Sequence, residues 1–367
     1  MILNQECLLL QNELKKFAQQ VILEKVDEID KACALPVDNI KQLGEMGILG
    51  AIIPETYNGA ALELLGLVVS LEEISKVCAS TAVIVATHNA FFAFPILKFG
   101  NDEMKKKFLP SAATGKIIGG SVSANINEVK VEKQNGNYIL NGKNPLVLNA
   151  EADGPCTAFI TYPEDKKHVL AFVIDKGMQG VKISKNHSVV GLKAAGIGEV
   201  LFEDCMIQPS EIIGKENEGD LILQTTNDFA KVCLSVIALG ISQGATDAAI
   251  KYAKERIQFN ERIIDFGMVR EKIAEMTTMI EAARLLIYDA AMQYDANKNY
   301  KKAAAIAKFF CSRAAVEITT QAIQIYGGYG FMKDYPVERY FRDAQVINIL
   351  CSTAREEKEN IVRETIG

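Results

Sequence analysis

The stretch Gln324-Ile-Tyr-Gly327-Gly328-Tyr329-Gly330-Phe331, continued by Lys333-Asp-Tyr-Pro336-Val-Glu-Arg-Tyr-Phe-Arg342-Asp343, is the densest unusual segment of the chain. On its own it reads as a helix C-terminus and a loop, because three glycines permit positive φ and tight backbone approach. Apolar spacing on either side predicts long helices. Helical patterns run over 221–257, 268–295, 301–326 and 344–364, separated by Asn260, Gly267, the Asn297–Tyr300 region and the Gly327-Gly328 turn. Four such helices with short joints predict a bundle.

Further toward the N-terminus the texture changes. Tyr138-Ile139-Leu140, Val169 to Ile174 and Val200-Leu201-Phe202 are β-rich, and Asn135-Gly136 and Asn141-Gly142 are hairpin signals. Before about Lys116 the apolar residues return to helical spacing (Leu10, Leu14, Phe17, Val21), with Pro36, Pro54, Pro95 and Pro110 as punctuation. The expected fold class is α+β, predominantly α: a helical domain over 1–116, a β-barrel-like domain over 117–219 and a four-helix bundle over 220–367. A chain of 367 residues is long enough for two or three packed units.

Hydrophobic residues make up 49% and charged residues 23%, an ordinary globular balance, and the net charge of −6 comes from intermixed signs. No basic run interleaved with aromatics supports nucleic-acid binding. The eight cysteines stand singly, without zinc spacing, and His88, His168 and His187 are dispersed, so no metal site is expected. Free thiols, the absence of a signal-peptide core and the lack of an uncharged apolar stretch of spanning length lead to the expectation of a cytoplasmic protein without membrane insertion. No nucleophile elbow, Walker loop, HExxH or GxGxxG following a strand is present.

Read whole, the 324–343 segment resembles the acyl-CoA dehydrogenase family, and collinear stretches extend the resemblance over nearly the whole chain. These are Cys78-Ala-Ser-Thr-Ala with His88-Asn89, Ile96-Leu-Lys-Phe-Gly100, Phe108-Leu-Pro110, Phe202-Glu-Asp-Cys205, Ala238-Leu-Gly-Ile-Ser-Gln-Gly244 and Tyr252-Ala-Lys-Glu-Arg256-Ile-Gln-Phe259. The resemblance implies FAD-dependent α,β-desaturation of an acyl thioester, carried on CoA or a carrier protein, in a homo- or hetero-oligomer that can pass electrons to an acceptor flavoprotein. It implies cofactor contacts from Arg256, Phe259, Gln324, Gly327, Gly328, Thr353 and Asn149, and substrate contacts from Asp228, Lys231 and Ser123.

The same resemblance exposes departures. Desaturation needs a base for the α proton. The family's glutamate falls on Cys351 within Ile349-Leu350-Cys351-Ser352-Thr353, and the alternative base on the first bundle helix falls on Ala230, followed by Lys231. Cys351 reads as a small residue filling vacated volume, against the competing reading of a thiolate base or nucleophile. The flavin-covering segment is Ser121-Val-Ser123-Ala124-Asn125-Ile126 and is followed by a shortened stretch, while Leu146-Val147-Leu148 replaces side chains that hydrogen-bond the ring. Residues implied to reach a neighbouring subunit's FAD are kept; those for the chain's own ring are lost. The expectation is a base-less subunit that buttresses a partner's FAD, with a non-catalytic scaffold or a flavoprotein of altered chemistry as alternatives. For Asp228 and Lys231, a channel role and a solvated helix face are both open.

Overall fold

The computed structural model describes residues 3–124, 128–162, 168–185 and 189–366. Asn125, Ile126 and His187 lie outside the described residues.

The N-terminal third is helical: α1 (Gln5–Phe17), α2 (Leu23–Ala32), α3 (Val37–Glu45), α4 (Leu64–Ser75), α5 (Ala79–Ala86), α6 (Phe94–Phe99) and α7 (Asp102–Ala113). Pro36 and Pro54 precede helical turns and Pro95 sits in the first turn of α6, as punctuation should. Pro110 differs, lying inside α7 near its end. Only the last turn has to tolerate its missing N–H.

The middle third forms β1 (Gly120–Ala124), β2 (Val129–Gln134), β3 (Asn137–Leu148), β4 (Cys156–Tyr162), β5 (His168–Ile174), β6 (Val181–Lys185) and β7 (Gly198–Ile207). The sheet order is β5-β4-β1-β3-β7-β6, with β2 paired to β3. β1 runs parallel to β4 and antiparallel to the end of β3, matching Ser121 to Leu148 and Val122 to Val147. That register brings Ser121 and Leu148 to one rim of the sheet.

The bundle consists of α8 (Gly219–Glu255), α9 (Gly267–Asp295), α10 (Lys301–Tyr326), α11 (Val337–Ile349) and α12 (Ala354–Ile366). The expected last helix over 344–364 is therefore two. Leu350 turns extended and Cys351 takes φ 72°. A new helix then starts at Thr353, whose backbone N–H and hydroxyl both donate to Glu356 Oε2, at 2.7 and 2.8 Å, while its Oγ1 accepts from the Glu356 N–H. This is a capping box, and it favours restarting a helix over continuing one.

The N-terminal helices and the bundle share one continuous core, in which α4 and α5 pack on α8, whereas the sheet has its own. Two segments correct the expectation that nothing apolar reaches spanning length: Ala79–Phe99 and Gly219–Glu255 are long and apolar enough, and 83% and 94% of their apolar windows are buried in the fold. They are core helices, apolar all round because they are surrounded by protein.

Candidate functional site

A cleft opens where the first half of α8, the 350–353 turn, β1, the end of β3 and the π-helical turn Thr87–Ala93 converge. It has two chambers. One, of about 360 Å³, is polar and is lined by Asp220, Gln224, Asp228, Lys231, Lys301, Asn360, Arg363 and Glu364. The other, of about 250 Å³, is mainly apolar and is lined by Phe91, Ser121, Ser123, Leu146, Leu148, Phe159, Ile349 and Leu350. Leu223, Asn227, Cys351, Ser352 and Glu356 face both.

Cys351 thus sits at the junction. Its left-handed backbone turns the side chain toward α8, where the thiol donates to Asn227 Oδ1 at 3.7 Å. Burial pushes the thiol up to about 11, against the pull of Lys308 and Lys231. It stays protonated near neutrality, which fits a small filling residue and not a thiolate base.

Asp228 and Lys231 lie one helical turn apart on α8 and form a buried ion pair, with Nζ to Oδ1 at 2.9 Å. The solvated-face reading is overturned. Ala230 is fully buried and offers no base. Ser123 lines the apolar chamber. Asn149 does not reach the cleft: it is fully buried, and its amide donates to Ile84 O at 3.1 Å and Gly119 O at 2.9 Å. Thr353 is held in the capping box. His88 is buried within the fold; Gly119 N–H donates to its Nδ1 at 2.9 Å, which leaves Nε2–H to donate to Ala112 O at 3.2 Å. Among the described residues no cluster suited to a metal ion is present.

The other named residues gather elsewhere. Arg256 follows α8 directly and places its guanidinium 5.5 Å from the centre of the Tyr329 ring. Phe259 is 89% exposed with φ 52°, and Gln324 and both glycines are exposed. A Cβ at Gly327 or Gly328 would meet nothing within 4 Å. Gly327 also needs its positive φ of 58°, but φ at Gly328 is not positive, so nothing within the chain explains that glycine. Bare backbone, a cation and an exposed aromatic ring suit an approaching nucleotide. The helix that carries this end, α10, starts at Lys301 in the polar chamber and passes the Cys351 turn at Lys308, which leaves roughly 24 Å of helix between that turn and Gln324 at about 1.5 Å per residue.

Sequence reasoning did not find Asn227, Ser352, Glu356, Glu357 or Lys308. The Thr353-Ala-Arg-Glu356 box was a usable signal for the turn that presents Ser352 and Glu356; Asn227 belongs to α8, and Glu357 and Lys308 are defined only by burial.

This architecture is matched among known proteins. Residues 4–116 match the acyl-CoA dehydrogenase N-terminal domain and residues 217–363 the acyl-CoA dehydrogenase C-terminal domain. The chain belongs to the acyl-CoA dehydrogenase family. It is 34% identical to an acyl-CoA dehydrogenase of Bacillus subtilis over 100% of both chains. Its fold superposes on butyryl-CoA dehydrogenase of Megasphaera elsdenii with a TM-score of 0.94 and 28% identity, covering 100% of each chain. It also superposes on PigA in complex with FAD, with a TM-score of 0.93 and 25% identity, over 100% of this chain and 98% of the other.

Proposed function

We propose that this chain is the base-less subunit of an acyl-CoA dehydrogenase-type assembly, offering an acyl-thioester cleft at Cys351 and supporting, at its Arg256–Gly328 end, FAD held mainly by a partner subunit. The observation that carries this reading is the separation of the two groups. The open glycine surface with Arg256, Phe259 and Gln324 lies toward the far end of α10: Lys308, beside the Cys351 turn, is roughly 24 Å along the helix from Gln324, so the two groups do not meet around one flavin ring within one chain. FAD supplies a two-electron acceptor when bound. At the cleft, Leu146 and Leu148 offer no side-chain donor and Cys351 holds its proton, while the Asn149 amide nitrogen and Thr353 are engaged within the fold. The apolar chamber suits an acyl chain, and the polar chamber with Asp228 and Lys231 suits the carrier end of a thioester. A thiolate-based alternative chemistry is disfavoured by the raised thiol. Eight free cysteines support a cytoplasmic setting.

The test is the flavin-to-protein ratio, from the visible spectrum, of the full chain alone and after co-purification with a family member that keeps the glutamate base. Little flavin alone and one flavin per pair of unlike subunits is expected. A lone homo-oligomer that is fully flavinated and desaturates acyl thioesters overturns the proposal.

A further inference from the structure

Immediately behind Cys351, three helices bring four charged groups out of water. Lys231 of α8 lies 2.9 Å from Asp228 Oδ1 and 3.6 Å from Glu357 Oε2 of α12. Lys308 of α10 is 1% exposed, and its Nζ donates to Ile347 O at 2.7 Å and Ser312 Oγ at 2.9 Å. Among the described residues it makes no ion pair. Glu357 is also 1% exposed, and its Oε1 has no hydrogen-bond partner. It is the buried member of an otherwise more exposed α12, at a position where burying a carboxylate costs free energy unless charge requires it. The Cys351 thiol feels all four groups.

The count is two ammonium groups against two carboxylates. A carboxylate at position 351 would make three against two. We infer that Glu357 carries the buried negative charge that a base at position 351 would otherwise supply, so that 351 and 357 form a charge-balanced pair holding Lys231 and Lys308 protonated. This rests on reading Cys351 as the base position; it does not depend on flavin or on a partner. Glu357 is then a positioning residue, and the site cannot regain a working carboxylate by a change at 351 alone.

Burial lowers Lys308 to about 8, and Glu357 and Cys351 are among the groups that oppose this fall, so its proton is held by a narrow margin. The charged groups acting on the thiol are Asp228 and Lys231 from α8, Lys308 from α10 and Glu357 from α12, with Glu356 on the cleft side; Cys311 of α10 acts on Lys308. Removing the Glu357 charge leaves a net positive environment around Cys351 and makes the thiol more acidic.

The experiment follows alkylation of Cys351 in the full chain against pH, in a Cys33→Ser background because the six remaining cysteines are buried. With Glu357→Gln the midpoint of the pH profile moves down, and the rate near pH 8 rises about tenfold for each pH unit by which it moves; Glu357→Asp stays close to the parent. An unmoved midpoint overturns the inference, as does an equal acceleration at every pH, which reports local opening. A second comparison needs no reactive thiol. Cys351→Glu combined with Glu357→Gln is expected to melt higher than Cys351→Glu alone; an equal or lower melting temperature overturns the inference.

Discussion

His88 shows how completely a single side chain can be committed to structure. Both ring nitrogens are engaged by the backbone, and burial lowers its pKa to about 4 from an ordinary value near 6.5. The sign follows from proton binding: between pH 6.5 and 4 the unfolded chain takes up a proton that the folded chain refuses, so stability present above pH 6.5 is lost as pH falls. The full loss is on the order of 3 kcal/mol, at about 1.36 kcal/mol for each pH unit between the two values. Asp343, raised by burial to about 6, acts in the opposite direction over an overlapping range. The measurement is therefore the difference in denaturant stability between the wild type and His88→Gln across pH 4–7, which should shrink as pH falls. Position 88 was legible as a motif residue, but its role was not, because two backbone partners from distant segments define it.

Elements are fixed here by their ends and by close approaches. Asp295, the last residue of α9, accepts from the first-turn N–H groups of α4, Leu64 at 2.7 Å and Leu65 at 3.0 Å. A helix of the N-terminal region is thus capped by a residue of the bundle. Asp295→Ala should cost about 1–2 kcal/mol, measured by denaturant unfolding, and Asp295→Asn less. Where α8 crosses the N-terminal helices, a Cβ on Gly244 would lie 2.4 Å from Lys76 O and 2.6 Å from the Tyr340 ring. This glycine was visible in the Gly240–Gly244 motif; its reason was not, because the neighbours that require it come from two other helices. The helix ends at 255, 267, 295, 301 and 326 followed from turn signals close to where they fall. The break at 350–353 escaped periodicity, since apolar spacing continues across it and only the Thr353–Glu356 capping box interrupts the hydrogen-bond ladder.

At the scale of the whole molecule, the long helices act as rulers that keep the Cys351 cleft and the glycine surface apart. Gly244 and Gly328 make opposite predictions. Gly244→Val should destabilise the chain by about 1–3 kcal/mol through overpacking, read from denaturant unfolding. Gly328→Ala, with open space before it, should leave the melting temperature of the isolated chain unchanged but lower flavin retention in the mixed assembly with a glutamate-bearing family member. The amino-acid sequence by itself determined the order of helical, β and helical segments, because periodicity, glycine pairs and hairpin signals act over a few neighbouring residues. The proposal that Cys351 stands at the position of the base also comes from the sequence, through the family resemblance and an ungapped register from Arg342 onward. Only the tertiary structure decided that Asp228 and Lys231 are buried partners, that Thr353 and the Asn149 amide nitrogen bond within the fold, and that Glu357 and Lys308 stand behind the cysteine. Burial, desolvation and charge balance arise between residues as far apart as 228 and 357, and nothing local to either position encodes them.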